Sequence, residues 1–260
     1  MSSQNKINSP EDAEVIIQKL PSDMGIHRNP RKGTLDAPER ILEGLEFDRP
    51  VMVDEVFPDE FDLEETHDRI YENTVELLEF DRPVVSIGGD HSVSYPELKA
   101  LKRSNPDINL VWLDAHLDIK EKVGDNISHD VVVRQLVEEG LFEPEDIYFV
   151  GITEIDHDEE EYLEENNFNF YRPGEVEEFK QEFEGQAYLS IDIDVLQEEL
   201  APGTGYPDGN LDLDQVLKVI QEVEPVHADI VEVAPCLDQE GKTMEASREI
   251  LKQLVDRLNF

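Results

Sequence analysis

The chain has 260 residues, 63 of them Asp or Glu and 22 Lys or Arg, for a formal net charge of -41. A field of that sign repels polyanions and anionic bilayers, which excludes nucleic acid and the membrane surface as expected partners. No apolar run approaches the ~18 residues of a membrane span, and Met1-Ser2-Ser3-Gln4-Asn5 lacks the basic and apolar regions of a signal peptide, so the expected setting is the cytoplasm.

In chain order, residues 1–12 are polar and expected to fray. A strand is predicted at Val15 to Leu20, a helix at Ala37 to Leu45, a strand at Val51 to Phe57 and a helix at Leu63 to Leu78. The strand Val84 to Ile87 leads to a helix at Tyr95 to Arg103, and Leu110 to Leu113 to a helix at Val131 to Glu139. Strands follow at Ile147 to Val150, Phe168 to Tyr171 and Tyr188 to Ile191. A helix at Leu211 to Val223, a strand at Asp229 to Val231 and a helix at Thr243 to Leu258 complete the pattern. Short apolar strands alternating with helical periods predict an α/β fold, a parallel sheet with helices on both faces. No repeat or linker divides the chain, so one domain over 1–260 is expected.

Four of these strands run straight into chemically distinctive residues: Gly88-Gly89-Asp90-His91, Asp114-Ala115-His116-Leu117-Asp118, Asp192-Ile193-Asp194 and Val231-Glu232-Val233-Ala234-Pro235. Ligands of open α/β sheets bind beyond the carboxyl ends of the strands, so all four runs face the expected crevice. An isolated Asp-x-Asp in so acidic a chain is ordinary surface. In combination the runs offer imidazoles and carboxylates that repel one another unless a cation sits among them. Such a hard-biased donor set suits Mn²⁺ and is large enough for two ions. Glu232, a lone acid between Val231 and Val233, is costly to bury unpaired, and a guanidinium cation offers the planar donors that match a carboxylate.

The runs Gly88-Gly89-Asp90-His91-Ser92, Asp114-Ala115-His116-Leu117-Asp118 and Ser190-Ile191-Asp192-Ile193-Asp194, followed by Ala201-Pro202-Gly203-Thr204-Gly205, resemble the signature blocks of the ureohydrolases, the arginase and agmatinase family. The resemblance implies a three-layer α/β/α sandwich around an eight-stranded parallel sheet and hydrolysis of a guanidino compound to urea and an amine. It implies a centre of two Mn²⁺ per chain, one held by His91 with Asp114, Asp118 and Asp192, the other by His116 with Asp114, Asp192 and Asp194. It implies, further, that Asp118 relays a proton, that His129 shuttles protons and contacts substrate, and that Glu232 binds the guanidinium. An imidazole with an intrinsic pKa near ~6.5 suits such a shuttle. Assembly as a homotrimer or homohexamer is implied as well.

In wording the chain is closer to agmatinases than to arginases. The loop Ile119-Lys120-Glu121-Lys122-Val123-Gly124-Asp125-Asn126-Ile127-Ser128 lacks the polar pattern with which arginases hold the substrate's α-carboxylate. The expected substrate is therefore agmatine, cleaved to urea and putrescine; an arginase, a guanidino-acid hydrolase and a formiminoglutamate hydrolase are the alternatives within the family. Lys120 reads first as a solvated loop lysine, with attraction of a carboxylated substrate as the alternative; Asp156 falls near where family members place an acid facing the far amine, and a solvated helix start is an equal reading of it. Tyr206, Asp130 and the pair Gln197-Glu198 depart from the family wording. Outside the family, a zinc deacylase and a metal-binding regulatory homologue remain as readings; the full ligand set with His129 and Glu232 speaks for an active ureohydrolase.

The lone Cys236 excludes an intramolecular disulfide framework and agrees with a reducing compartment. The acid excess is distributed, as in Asp156-His157-Asp158-Glu159-Glu160-Glu161, and on a patterned globular chain this is the expectation for halophilic surface adaptation. The alternative is an acidic mesophilic protein that binds a cation or a basic partner. At molar salt the Debye length is ~3 Å, so self-repulsion across the fold is screened. The melting temperature should therefore climb steeply between low and molar KCl; a flat profile in a thermal scan over that range contradicts the adaptation.

Overall fold

The computed structural model describes residues 5–26, 29, 31–180 and 183–258. The strands are β1 (Lys6–Ile7), β2 (Val15–Leu20), β3 (Val51–Glu55), β4 (Val84–Gly88), β5 (Asn109–Leu113), β6 (Ile147–Val150), β7 (Asn169–Tyr171), β8 (Ala187–Asp192) and β9 (His227–Val231). The helices are α1 (Ala37–Leu42), α2 (Leu63–Leu78), α3 (Ser94–Ser104), α4 (Val132–Glu138), α5 (Glu160–Glu165), α6 (Leu213–Val223) and α7 (Lys242–Arg257). All pairings are parallel, and the sheet order is β1-β3-β2-β4-β9-β8-β5-β6-β7.

The alternation of side chains along each strand sorts the core into two layers. Val15, Ile17, Val85, Ile87, Val111, Leu113, Leu189, Ile191 and Ile230 point to one face, where they meet Ile41 of α1, Val219 and Ile220 of α6, and Ile250 and Leu254 of α7. Leu110, Trp112, Phe149 and Tyr188 point to the other, against Leu98 and Leu101 of α3 and Val132, Val133 and Leu136 of α4. At the β1 end, Ile16 and Val84 meet Leu77 of α2. The result is the expected three-layer α/β/α arrangement.

Helix ends follow local chemistry. Asp62 caps α2 by accepting from the Glu65 N–H at 3.1 Å, and the buried Leu63, Thr66, His67, Ile70, Thr74 and Leu77 line one helical stripe. Asp212 and Gln215 form a reciprocal capping box on α6, with bonds of 2.8 and 3.0 Å.

The sheet has nine strands where eight were expected. The addition is β1, two residues that pair with Val51 and Met52 at the edge. A two-residue strand has no periodicity to reveal it; it is held by the bond from Val51 N to Asn5 O at 2.9 Å and by Asn5 Nδ2 to Phe47 O at 2.8 Å. Of the segment expected to fray, residues 1–4 lie outside the described residues and Pro10–Asp12 form a 3-10 turn. The short helix α5 was not expected, because its Glu-rich sequence buries none of its residues. No helix among the described residues is long and apolar enough to cross a membrane.

Two buried histidines make stability depend on pH. His67 on α2 and His227 on β9 are buried, and burial pushes both down to about 4. His227 Nδ1 accepts from Val84 N–H at 3.0 Å, a bond that only the neutral ring makes. Below the ordinary histidine pKa the unfolded chain takes up protons that the folded chain refuses, so stability is complete above ~6.5 and falls as the pH drops toward about 4. Each histidine contributes a slope of up to about 1.4 kcal/mol per pH unit in that window. In urea unfolding at molar KCl, His227→Asn should flatten the slope by up to that amount; an unchanged slope contradicts the assignment.

Candidate active site

Four adjacent strands, β4, β9, β8 and β5, deliver the four distinctive runs to one edge of the sheet. His91 begins the turn after β4, Asp114 directly follows β5, Asp192 ends β8, and Glu232 directly follows β9. The turn after β4 must approach the loop before it closely: a Cβ on Gly89 would lie 1.7 Å from Ser22 O. There the buried Asp90 accepts from Gly25 N–H and Ser92 N–H, each at 3.0 Å. Gly25 O in turn accepts from His129 N–H at 3.3 Å, so the turn bearing His91 also places His129. Two of the four non-glycine residues with positive φ among the described residues are Asp118 (52°) and Glu232 (60°). Left-handed backbone at such residues is costly and concentrates at functional sites.

All six expected ligands converge, in two overlapping groups. His91 Nδ1 faces Asp114 Oδ2 and Asp118 Oδ2 at 3.2 Å and Asp192 Oδ2 at 3.3 Å. His116 Nδ1 lies 3.1 Å from Asp194 Oδ2 and 3.5 Å from Asp114 Oδ1. Backbone donors aim the carboxylates: His116 N–H donates to Asp114 Oδ1 at 2.7 Å, Asp194 N–H to Asp192 Oδ1 at 2.8 Å and Ala115 N–H to Asp194 Oδ1 at 3.3 Å.

The electrostatics are those of a site short of positive charge. Burial works against protonating His91, but the carboxylates of Asp114, Asp118 and Asp192 outweigh it and hold the imidazole well above its ordinary value. His116 is raised in the same sense by Asp194 and Asp114, again against burial. Burial raises Asp192 strongly, Asp118 to about 7 and Asp194 to about 6, with the charge of Asp114 adding to each. His91 Nδ1 and Asp114 Oδ2 are buried with no hydrogen-bond partner among the described residues, although they face each other. Converging lone pairs with orphaned buried atoms, on carboxylates and imidazoles, fit divalent cations. Groups that could each hold an ion include His91, Asp114 and Asp118, and Asp114, His116 and Asp194.

Glu232 and His129 close the other side. Glu232 Oε1 accepts from His91 N–H at 2.8 Å and lies 3.5 Å from His129 Nδ1. Burial raises Glu232 well above the usual carboxylate range, and the charge of Asp90 adds to it. Above these residues opens a cleft of about 720 Å³. Its outer wall carries Glu121, Asp130, Glu154, Asp156, Asp158, Glu159 and Asp208, against Lys120. Lys120 Nζ is paired with Asp156 Oδ2 at 2.5 Å. Glu159, which carries no motif signal, is 4% exposed and accepts from Ile119 N–H at 3.3 Å and Asp156 N–H at 3.1 Å, clamping the two segments that bear the pair.

The departures from the family wording have places as well. The Tyr206 ring lies in the cleft 6.2 Å from that of His129, nearly parallel at 14°, and 5.7 Å from that of His116, edge on. Asp130 Oδ1 accepts from Ser128 Oγ at 2.5 Å, and Gln197 bridges to Gly209.

The family model described as the arginase family matches residues 13–255. An agmatinase of Bacillus anthracis is 32% identical over 270 residues, covering 94% of this chain and 92% of the relative. Among solved structures, a hypothetical agmatinase from Burkholderia thailandensis superposes with a TM-score of 0.85 at 25% identity, covering 97% of this chain and 88% of that one. Proclavaminate amidino hydrolase from Streptomyces clavuligerus gives 0.84 at 25% identity, with 97% and 94% covered. The match extends through the strands that carry the converging site as well as the helices around them, and the chain is a ureohydrolase of the arginase family.

Proposed function

We propose that this chain is a two-manganese agmatinase, cytoplasmic and folded as one domain, that hydrolyses agmatine to urea and putrescine. Six side chains of hard and borderline donors converging as two overlapping groups support the binuclear reading. His91, Asp114, Asp118 and Asp192 would hold one ion, and His116, Asp114, Asp192 and Asp194 the other, with Asp114 and Asp192 shared. When bound, the ions supply Lewis-acid charge that acidifies water near neutral pH. Glu232 takes the guanidinium and turns its carbon toward the metal groups. The oxygen of water adds to that carbon, the bond from carbon to the alkylated nitrogen breaks, and urea and the amine separate. Asp118 accepts one proton from water as its oxygen adds and delivers it to the departing nitrogen; the second, lost from that oxygen as the urea carbonyl forms, goes to the amine, which leaves as an ammonium. His129, beside Glu232, contacts the substrate and exchanges protons with solvent.

The observation that carries the choice of agmatine is the charge of the outer cleft. Its acids would repel a carboxylate and attract an ammonium, and Lys120, the one lysine on that wall among the described residues, is engaged by Asp156. A lost charged hydrogen bond is worth roughly 1.5 to 3 kcal/mol, about tenfold or more in relative kcat/KM. Assembly as a trimer or hexamer and a halophilic setting belong to the same reading; acidic subunits would associate more tightly in molar KCl than in dilute buffer.

Two outcomes test the proposal. Metal analysis after dialysis against saturating Mn²⁺ should give close to two ions per chain, and Asp114→Ala or Asp192→Ala should lose metal and activity together; one ion or fewer in the unsubstituted protein overturns the binuclear centre. In a panel of agmatine, arginine, 4-guanidinobutyrate and formiminoglutamate, agmatine should show the highest kcat/KM. Asp156→Asn, which releases Lys120, should move the ratio of 4-guanidinobutyrate to agmatine upward by about tenfold. A higher kcat/KM on any carboxylated member in the unsubstituted protein refutes agmatine while leaving the ureohydrolase assignment intact.

A further inference from the structure

One level below the metal-ligating edge, a row of polar residues crosses the middle of the sheet on the α3 side. Register pairs Gln18 with Ser86, Ser86 with Asp229, Asp229 with Ser190 and Ser190 with Trp112. Each of these five residues is 0% exposed. The interior of a parallel sheet favours apolar side chains, and a buried carboxylate there is expensive unless donors surround it. Asp229 is surrounded. Its Oδ1 accepts from Ser190 Oγ at 2.7 Å and Ile191 N–H at 3.2 Å, and its Oδ2 from Ser94 Oγ at 2.6 Å and Tyr188 OH at 2.7 Å.

Hydrogen counting gives this arrangement a direction. A serine hydroxyl has one hydrogen, and that of Ser190 goes to Asp229. The Ser190 oxygen therefore meets His91 Nε2, 2.8 Å away, as an acceptor, so Nε2 carries the hydrogen. Nδ1 is then the nitrogen with a lone pair to offer, and it is the one that faces Asp114, Asp118 and Asp192. Trp112, the next member of the row, fixes the plane of the same ring by stacking on it at 3.9 Å and 4°. Glu97, also buried, touches Ser86, and its Oε2 lies 3.4 Å from the Tyr188 oxygen; burial, with the charge of Asp229 adding to it, raises Glu97 well above the carboxylate range.

We propose that Asp229, acting through Ser190, is a positioning residue that fixes the tautomer and aim of His91 and thereby sets the affinity of the His91 metal position separately from that of His116. Resting on the binuclear reading above, the inference adds a remote control over one of its two positions. Hydrogen-bond partners behind a metal-ligating histidine typically carry 10–100-fold in metal affinity. Among the described residues His116 has no comparable buried partner: Asp208 Oδ2 lies 3.8 Å from its Nε2 and is well exposed.

The test is Mn²⁺ titration of the metal-stripped full chain, followed calorimetrically, for the unsubstituted protein, Ser190→Ala and Asp229→Asn, with far-ultraviolet circular dichroism to verify folding. In both variants one ion should bind 10–100-fold more weakly while the other stays within about threefold. Ureohydrolase activity should return as Mn²⁺ is raised, a rescue that a general loosening of the fold would not allow. Unchanged affinities in Ser190→Ala, equal weakening of both ions, or activity that excess Mn²⁺ does not restore overturns the inference. Should Asp229→Asn fail to fold, Ser190→Ala decides alone. Failure of the unsubstituted protein to bind two ions is a different result and overturns the binuclear reading itself.

Discussion

Mutual repulsion among buried carboxylates is the constraint on which the rest of this structure depends. Asp114, Asp118, Asp192 and Asp194 share one pocket, each less than a tenth exposed, and among the described residues two imidazoles are close enough to offset them. A folded chain tolerates such a cluster only if strong scaffolding holds the groups and a cation compensates them. The scaffolding is the central part of the sheet. Because β4, β9, β8 and β5 are neighbours buried on both faces, their carboxyl ends are fixed relative to one another by backbone ladders and by packing in two layers. Backbone N–H groups of the short turns then aim individual oxygens. Within the site, left-handed backbone falls at Asp118 and Glu232, where the chain must turn sharply enough to face the cleft.

Much of this was legible in the sequence, for physical reasons that differ by element. β2, β6 and α2 coincide with their expected limits, since each is a dense apolar or periodic run bounded by polar residues. The convergence of the candidate site was legible because groups able to hold a common cation are of restricted type and sit directly after strands, where only the topology is needed to bring them together. β1 and α5 were not, since neither carries a burial pattern of its own. Ser190 and Asp229 illustrate a subtler loss. Each stands in plain view inside an apolar strand, a polar residue where none should be, yet the run still reads as a strand and its neighbours carry the louder motif. Only the cross-strand register shows that the two anomalies are opposite each other. The pairing of Lys120 with Asp156 is of the same kind: 36 residues separate them in the sequence, and no periodicity links a loop lysine to one acid among so many.

The sheet therefore organises two zones with different electrostatic rules. At its edge, carboxylate charge is concentrated and only partly offset by His91 and His116, as suits a cation site. One level below, the charge of Asp229 is saturated by four donors, so it acts through hydrogen-bond direction rather than as a free field. The two zones meet at His91, whose Nε2 belongs to the lower and whose Nδ1 belongs to the upper.

The acidic surface imposes a final constraint on specificity. In dilute buffer a net charge of -41 would draw any cation toward the protein, agmatine and metal ions alike, and would repel every carboxylate without regard to the cleft. In molar salt that long-range preference vanishes, because screening acts within ~3 Å. Discrimination then falls to charges in direct contact with substrate or shielded from solvent. On the proposed reading Glu232 would meet that requirement through its burial, and Asp156 through the short bond that occupies Lys120. A chain adapted to salt can thus afford acid over its whole surface without becoming indiscriminate, because solvent silences the surface and leaves the contact groups of the cleft to choose.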